Sequence, residues 1–226
     1  MAETKLWYLE NFSMLKILSK KEIEEIDRMA IMRSMPRNKV IYFPEDSSNT
    51  VFLLKKGRVK ISRISESGKE IILAILGPGE VFGELSITGQ ATREEIAEAT
   101  EDAVICSVSL ENFQRMMEIS PKFNLQVTKL IGFRLKKVQS RLEGLIFKTA
   151  EQRVRAFIKE LAEEHGREIA QNPEERVVKL QLTHDEIAKL SATSRQTVTS
   201  VLNELERQEI LTYDRSRIYI KKYSQL

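Results

Sequence analysis

Thr183-His184-Asp185-Glu186-Ile187-Ala188-Lys189-Leu190-Ser191-Ala192-Thr193-Ser194-Arg195-Gln196-Thr197-Val198-Thr199-Ser200-Val201-Leu202 is the stretch that decides how this chain is read. Thr183 and Glu186 stand at capping-box spacing, where the hydroxyl and the carboxylate each satisfy an orphan backbone N–H. A short helix follows with Ile187, Ala188 and Leu190 apolar, and Ser191-Ala192-Thr193 breaks it. Ser194 then caps a second helix with Val198, Val201, Leu202 and Leu205 on its apolar face. Arg195, Gln196, Thr199 and Ser200 are left on or near the outer face. Two helices joined by a turn of about three residues, the second opening with long polar donors, make a helix-turn-helix. The second helix exposes donors to base edges while its other face is locked in a small core. Arg195 is long, planar and suited to the O6 and N7 of guanine, and Gln196 can pair with adenine. Ser194, Thr197 and Thr199 read as phosphate-positioning or capping groups. Thr183, His184 and Ser200 complete the expected surface.

After the second helix, Ile210-Leu211-Thr212-Tyr213 and Ile218-Tyr219-Ile220 flank Asp214-Arg215-Ser216-Arg217, a β-hairpin wing with Arg215 and Arg217 near its tip. Residues 179–226 hold eight basic and six acidic side chains, so no general basic footprint exists. Capping, turn length, polar helix front and wing together carry the expectation of double-stranded DNA as partner. An acid/base or metal role for His184-Asp185-Glu186 fails on geometry. Consecutive helical residues point about 100° apart and cannot converge on one atom. No nucleophile motif, phosphate loop or paired metal spacing occurs elsewhere, so an enzyme is not expected.

Upstream, residues 165–176 are polar and turn-rich and read as a loop, preceded by a helix from the Thr149–Gln152 capping box through Leu161. Ile131, Leu135, Val138, Leu142 and Leu145 follow steps of four, three, four and three, a narrow heptad seam of the width used when two helices pair. A core helix inside one chain has the same spacing, and residues 118–145 carry a net charge of +4 that solvates the other faces. Residues 38–109 read as β: Val40-Ile41-Tyr42-Phe43, Val51-Phe52-Leu53-Leu54, Val59 with Ile61, Ile71 to Leu76 and Ala103 to Val108 are short strands between turn signals. Ser19-Lys20-Lys21-Glu22 opens a lead-in helix with Ile23, Ile26 and Ala30 at helical spacing, and Pro36 ends the pattern.

Cys106 is the single cysteine, which excludes an internal disulfide framework and a one-chain cysteine-held iron–sulfur cluster. His165 and His184 are the only histidines and leave little for a metal site. No apolar run approaches the ~18 residues of a membrane helix, and residues 1–10 show no apolar signal core. The expected place of action is the cytoplasm, with no membrane partner.

The layout resembles the CRP/FNR family of bacterial transcription regulators over nearly the whole chain. The resemblance is carried by Gly57 after Val51-Phe52-Leu53-Leu54, Gly68, Gly79-Glu80-Val81-Phe82-Gly83-Glu84-Leu85, the long helix 120–145, and the two segments Thr183–Ala188 and Thr193–Val198. It implies an α+β chain. Residues 1–119 form an antiparallel β-roll sensor of jelly-roll type (a double-stranded β-helix) with an N-terminal helix. Residues 120–147 are the dimerisation helix and hinge, and 148–226 a winged helix-turn-helix. It further implies a homodimer on palindromic operators, RNA polymerase as a partner, and a small effector in the β-roll. Ile131, Leu135, Val138, Leu142 and Leu145 would form the dimer seam.

Cyclic-nucleotide members of the family hold ribose and phosphate with a Gly-Glu-Leu segment and an Arg-Ser pair. Gly83, Glu84, Leu85 and the adjacent Ser86 fall on that segment, and Arg93 on the arginine position. Glu94 stands where the serine would, and Glu94 and Glu95 are expected to repel a phosphate and pair with Arg93 instead. Val138 and Gln139 replace the Thr and Ser that hold adenine. Cyclic AMP is therefore disfavoured, and no iron–sulfur cluster or haem is expected. An acidic metabolite such as 2-oxoglutarate on Arg93, or no effector at all, fits the residues as well. The alternative from another class is a ligand-binding module that acts on a protein partner without reading DNA.

Overall fold

Ser19 starts the first described helix for a local chemical reason. Its N–H donates to the Glu22 carboxylate at 2.7 Å, and its hydroxyl accepts from the Glu22 N–H. This box opens α1 (Lys20–Met29), which buries Ile23 and Ile26. The computed structural model describes residues 15–16, 18–169, 172–179, 182–214 and 217–226. The chain divides into two units, Met1–Leu135 and Lys136–Leu226. Most of the lead-in before Ser19, and Arg215 at the expected wing tip, lie outside the described residues.

In the first unit, eight strands follow α1: β1 (Ile31–Met35), β2 (Val40–Tyr42), β3 (Thr50–Lys56), β4 (Val59–Ile64), β5 (Glu70–Leu76), β6 (Val81–Phe82), β7 (Ile96–Ala99) and β8 (Ala103–Ser109). They pair antiparallel in two sheets, β1-β8-β3-β6 and β2-β7-β4-β5, the roll that the family resemblance implies. Strand side chains alternate between faces. Leu53 of β3 and Cys106 of β8, paired in register, join a core with Ile23, Ile26 and Phe113. Ile105 turns the other way, into the roll with Tyr42, Phe82 and Ala97. With both faces covered, the middles of these strands, Val51–Leu54 and Ala103–Cys106, are apolar runs.

The helical pattern expected up to Pro36 ends at Met29. Residues Ile31–Met35 instead form an edge strand on β8, from Ile31↔Ser107 to Met35↔Ala103. Ile31 and Met32 stay exposed, so the ladder rather than side-chain burial decides this element. After β8 come α2 (Leu110–Ile119) and α3 (Pro121–Phe147). Phe123 and Val127 of α3 are buried in the first unit's core. Ile131, Leu135, Val138, Leu142 and Leu145 are 45 to 62% exposed.

In the second unit, Thr149 and Gln152 cap α4 (Ala150–His165), which runs one turn beyond the expected Leu161. The segment expected as a loop is mostly strand: β9 (Gly166–Ile169) pairs antiparallel with β10 (Asn172–Val178). Its polar composition hides contacts made at long range. The Arg176 guanidinium lies 3.9 Å from the Tyr223 ring centroid, and Val178 is fully buried. Then come α5 (His184–Leu190), α6 (Arg195–Arg207), β11 (Leu211–Tyr213) and β12 (Ile218–Ile220). The last two are the wing, and they extend β9 and β10 into one sheet in the order β11-β12-β10-β9.

The turn between α5 and α6 is held from α4. Arg153 donates from Nε to the Ser191 carbonyl at 3.0 Å, from Nη2 to that of Ala192 at 2.8 Å and from Nη1 to that of Lys148 at 3.0 Å. Ala192 has φ 50°, a region unfavourable to a residue with a Cβ, so this turn needs outside support. Arg153→Ala should lower the opening free energy of this unit by about 2 kcal/mol, the scale of hydrogen bonds to a charged group. Hydrogen exchange at the Val201 and Leu202 amides reads that loss as faster exchange. Unchanged protection would mean that water replaces the guanidinium at no cost.

Candidate functional site

The β-roll interior is organised around a cation. Arg93 is 2% exposed, and its Nη1 donates to the Gly83 carbonyl and to Ser86 Oγ, each at 3.0 Å. Its Nη2 donates to the Thr50 carbonyl. The guanidinium also lies over the Tyr42 ring, 4.6 Å from the centroid, next to the stacked rings of Phe52 and Phe82. Gly83 has φ 73°, and a Cβ there would sit 2.9 Å from Arg93 Nη1 and 3.0 Å from the Thr50 carbonyl oxygen. Backbone handedness and crowding both require glycine.

Gly83 leads into a 3-10 turn, Glu84–Thr88. Ser86, fully buried, donates to the Gly83 carbonyl at 2.6 Å and lies 3.0 Å from Ser48 Oγ. Glu84 is buried in an ion pair with Arg134 of α3, which also donates to the Val81 carbonyl. Leu85 is exposed. Val138 and Gln139 lie on α3 beyond Leu135 and are exposed.

The expected pairing of Arg93 with Glu94 and Glu95 is replaced by two other contacts. Glu94 is at the surface, 2.5 Å from Arg63 and within reach of Gln90 at 3.3 Å. Glu95 is buried and accepts from the Tyr42 hydroxyl at 3.4 Å. Burial, with Glu95 close by, pushes the Tyr42 hydroxyl pKa up. Burial alternates along the segment that leads into β7 and through it: Arg93, Glu95, Ala97 and Ala99 are buried, and Glu94 is exposed. That period was visible in the sequence. The partners Thr50, Tyr42 and Arg134 were not, because each lies far along the chain from the residue it meets.

In the second unit, Ser194 caps α6 by accepting from the Thr197 N–H at 3.0 Å. Val198, Val201, Leu202 and Leu205 are buried, and Arg195, Gln196 and Ser200 are exposed, so one helix presents a locked face and a free one. Thr183 caps α5 and is exposed. His184 Nδ1 lies 2.8 Å from Thr199 Oγ1, and its ring centroid is 5.6 Å from that of Tyr213 in β11. The Tyr213 hydroxyl donates to Asn203 Oδ1 at 2.9 Å. Burial, then the charge of Arg195, lowers the His184 pKa below the usual imidazole value. Arg217 is exposed and donates to the Tyr219 hydroxyl at 3.0 Å. Tyr213 and Asn203 were missed in the sequence, where only the position of Tyr213 at the end of the wing strand hinted at a contact.

Comparison with known proteins gives two family matches: a cyclic nucleotide-binding domain over residues 32–120 and a Crp-like helix-turn-helix domain over 152–226. The global nitrogen regulator of Synechococcus elongatus is 32% identical over 186 residues, 81% of this chain and 82% of that protein. The cyclic AMP receptor protein of Thermus thermophilus is 31% identical over 180 residues, 79% of this chain and 78% of that protein. The chain belongs to the CRP/FNR family of transcription regulators. Among solved structures, a mutant of CooA from Carboxydothermus hydrogenoformans matches with a TM-score of 0.78 at 28% identity, covering 96% of this chain and 95% of that one. FixK2 of Bradyrhizobium japonicum shares the fold, with a TM-score of 0.76 at 21% identity over 87% of this chain and 94% of that one.

CRP/FNR proteins are transcription regulators that bind DNA as dimers, and they are not enzymes. This chain is accordingly a DNA-binding regulator whose β-roll is of the kind that holds a small effector. Among the described residues no helix is long and apolar enough to cross a membrane.

Arg93→Ala should lower the stability of the β-roll by about 3 kcal/mol, because it strands buried acceptors and opens space beside three aromatic rings. Thermal unfolding of the intact protein measures it. An unchanged midpoint would mean that the interior fills with water.

Proposed function

We propose that the chain is a cytoplasmic homodimer that reads palindromic operators through α6 and controls transcription through contact with RNA polymerase. The observation that carries this is the division of α6, with Val198, Val201, Leu202 and Leu205 buried and Arg195, Gln196 and Ser200 free. Arg195 reads a guanine, Gln196 the neighbouring base pair, and Thr183, Ser194, Thr197 and Arg217 position the phosphate backbone, while Thr199 acts within the helix as a capping-type group on the Arg195 carbonyl. Arg195→Ala should cost about 1–3 kcal/mol at the selected operator and flatten the preference at one base pair in each half-site. Binding to randomised palindromes measures it. An equal loss on all sequences, with a smaller salt slope, would make Arg195 a backbone contact.

The dimer forms through Ile131, Leu135, Val138, Leu142 and Leu145, whose exposure on one seam is what supports it. Leu135→Lys with Leu142→Lys should give monomers, since charges buried in that seam cost about 3 kcal/mol or more. Sedimentation at micromolar concentration decides, and a wild-type monomer would reject the seam.

The sensor occupies residues 1–119, the dimerisation helix and hinge 120–147, and the reading domain 148–226. Cyclic AMP is not its effector. A cyclic phosphate would have to draw Arg93 away from the Gly83 and Thr50 carbonyls, and a ribose would have to draw Glu84 from Arg134. Glu94 contributes no repulsion, because it faces away. The support is therefore that both charged groups are already engaged, Arg93 through Nη1 and Nη2 and Glu84 through Arg134. Calorimetry should show no micromolar cyclic AMP binding that raises DNA affinity, and such binding would refute this assignment.

A further inference from the structure

The contact between His184 and Thr199 has a definite direction. Thr199 has one hydroxyl hydrogen, and Oγ1 donates it to the Arg195 carbonyl at 3.0 Å. At the 2.8 Å contact with His184 the hydroxyl oxygen must therefore accept, which places a hydrogen on Nδ1 of the imidazole. The same ring packs on Tyr213, whose hydroxyl holds Asn203 one turn beyond Thr199 along α6. One side chain on α5 thus reaches the front of α6 directly and its middle through the wing strand.

We propose that His184 is a positioning residue for DNA reading: by holding Thr199 and packing on Tyr213 it fixes α6 against the wing, without touching DNA itself. The donors of Arg195 and Gln196 stand on the first turn of α6, and the Arg195 carbonyl is itself the acceptor for Thr199. A small roll of that turn would misdirect both side chains on every sequence. Neutral imidazole is the form that keeps Nδ1–H as a fixed donor without adding a second cation beside Arg195, and the lowered His184 pKa agrees with it.

The proposal rests on α6 being the reading helix, and the test separates the two. The probe is an operator selected from randomised palindromic DNA by the wild-type protein, compared with a scrambled duplex of equal length across a salt series. His184→Ala and Thr199→Val should each reduce discrimination between the two about tenfold, the size of one lost hydrogen bond per protomer, and the double variant should lose no more than either. The salt slope should stay at the wild-type value, since no phosphate contact is removed. That unchanged slope on scrambled DNA also shows that each variant is folded.

His184→Asn places an amide N–H where Nδ1–H was and should recover most of the discrimination. His184→Gln places its amide nearer the Nε2 position and should not. Tyr213→Phe keeps the ring against His184, loses the bond to Asn203, and should lose discrimination by a smaller factor at unchanged slope. Recovery by Gln and not Asn, or a salt slope smaller by about one per protomer, would make His184 a phosphate contact and overturn the proposal. Full discrimination in His184→Ala would overturn it as well. If Arg195→Ala keeps full discrimination, the assignment of α6 as reader fails instead.

Discussion

A guanidinium taken out of water loses several kcal/mol of hydration, and a protein interior has to return most of it through acceptors. Arg93 meets much of that demand with two backbone carbonyls, a serine hydroxyl and an aromatic face, while its Nε is buried without a hydrogen-bond partner among the described residues. The arrangement around it follows from this need. The Gly83 carbonyl reaches Arg93 because residue 83 takes a left-handed conformation with no Cβ in the way. Ser86 reaches it because the chain turns at once into a 3-10 helix. Tyr42, stacked on the cation, then needs its own hydroxyl partner, and Glu95, buried two residues from Arg93, provides one. The charged groups proposed to meet an effector, Arg93 and Glu84, are thus also groups that hold the roll together. A ligand must offer more than complementarity: it has to replace these internal partners as well.

The functional surfaces outside the roll follow from a different constraint. A helix can bury one stripe and leave the rest free. In α6 the buried stripe is complete within the chain, and what remains exposed is polar. In α3 the order is inverted, because Phe123 and Val127 are buried near its start and the apolar seam from Ile131 to Leu145 is not covered. An exposed polar face can meet DNA, while an exposed apolar seam favours a second copy of itself. The same rule therefore underlies both proposed interfaces, from two distributions of leucine and valine.

How much of this was legible in the sequence depends on how far each determinant acts. The helix-turn-helix could be read because its signals are local: Thr183 with Glu186 and Ser194 with Thr197 lie within one turn. The roll could be read as short strands, since apolar runs and turn dipeptides survive without knowledge of pairing. The strands β1 and β10 could not, because distant ladders hold them: β1 depends on residues some 70 positions away, and β10 on the wing, while β9 follows β10 as its hairpin partner. For the pocket, Arg93 and Glu84 could be placed by resemblance but their partners could not. The Thr50 carbonyl is 43 residues from Arg93, and backbone acceptors carry no sequence signature. The outward turn of Glu94 is legible in that alternation, whereas its position in related proteins points inward. Alternation was the better guide there.

Residues 179–226 hold eight basic and six acidic side chains, and this near balance limits what electrostatics can do for DNA binding. Attraction to phosphates is indifferent to sequence and grows with the number of cations brought to the backbone. With few to spare, a larger share of operator affinity has to come from base-edge contacts, whose worth depends on donor direction. A bidentate guanine contact tolerates little misplacement, because both hydrogen bonds fail together. Rigid support behind the reading helix then matters more than additional charge. Arg153 behind the turn, and the His184, Thr199 and Tyr213 contacts beside it, are support of that kind. Arg153 carries a charge but directs it inward, onto carbonyls that keep the two helices at a fixed angle, so one of the unit's cations serves geometry in place of attraction.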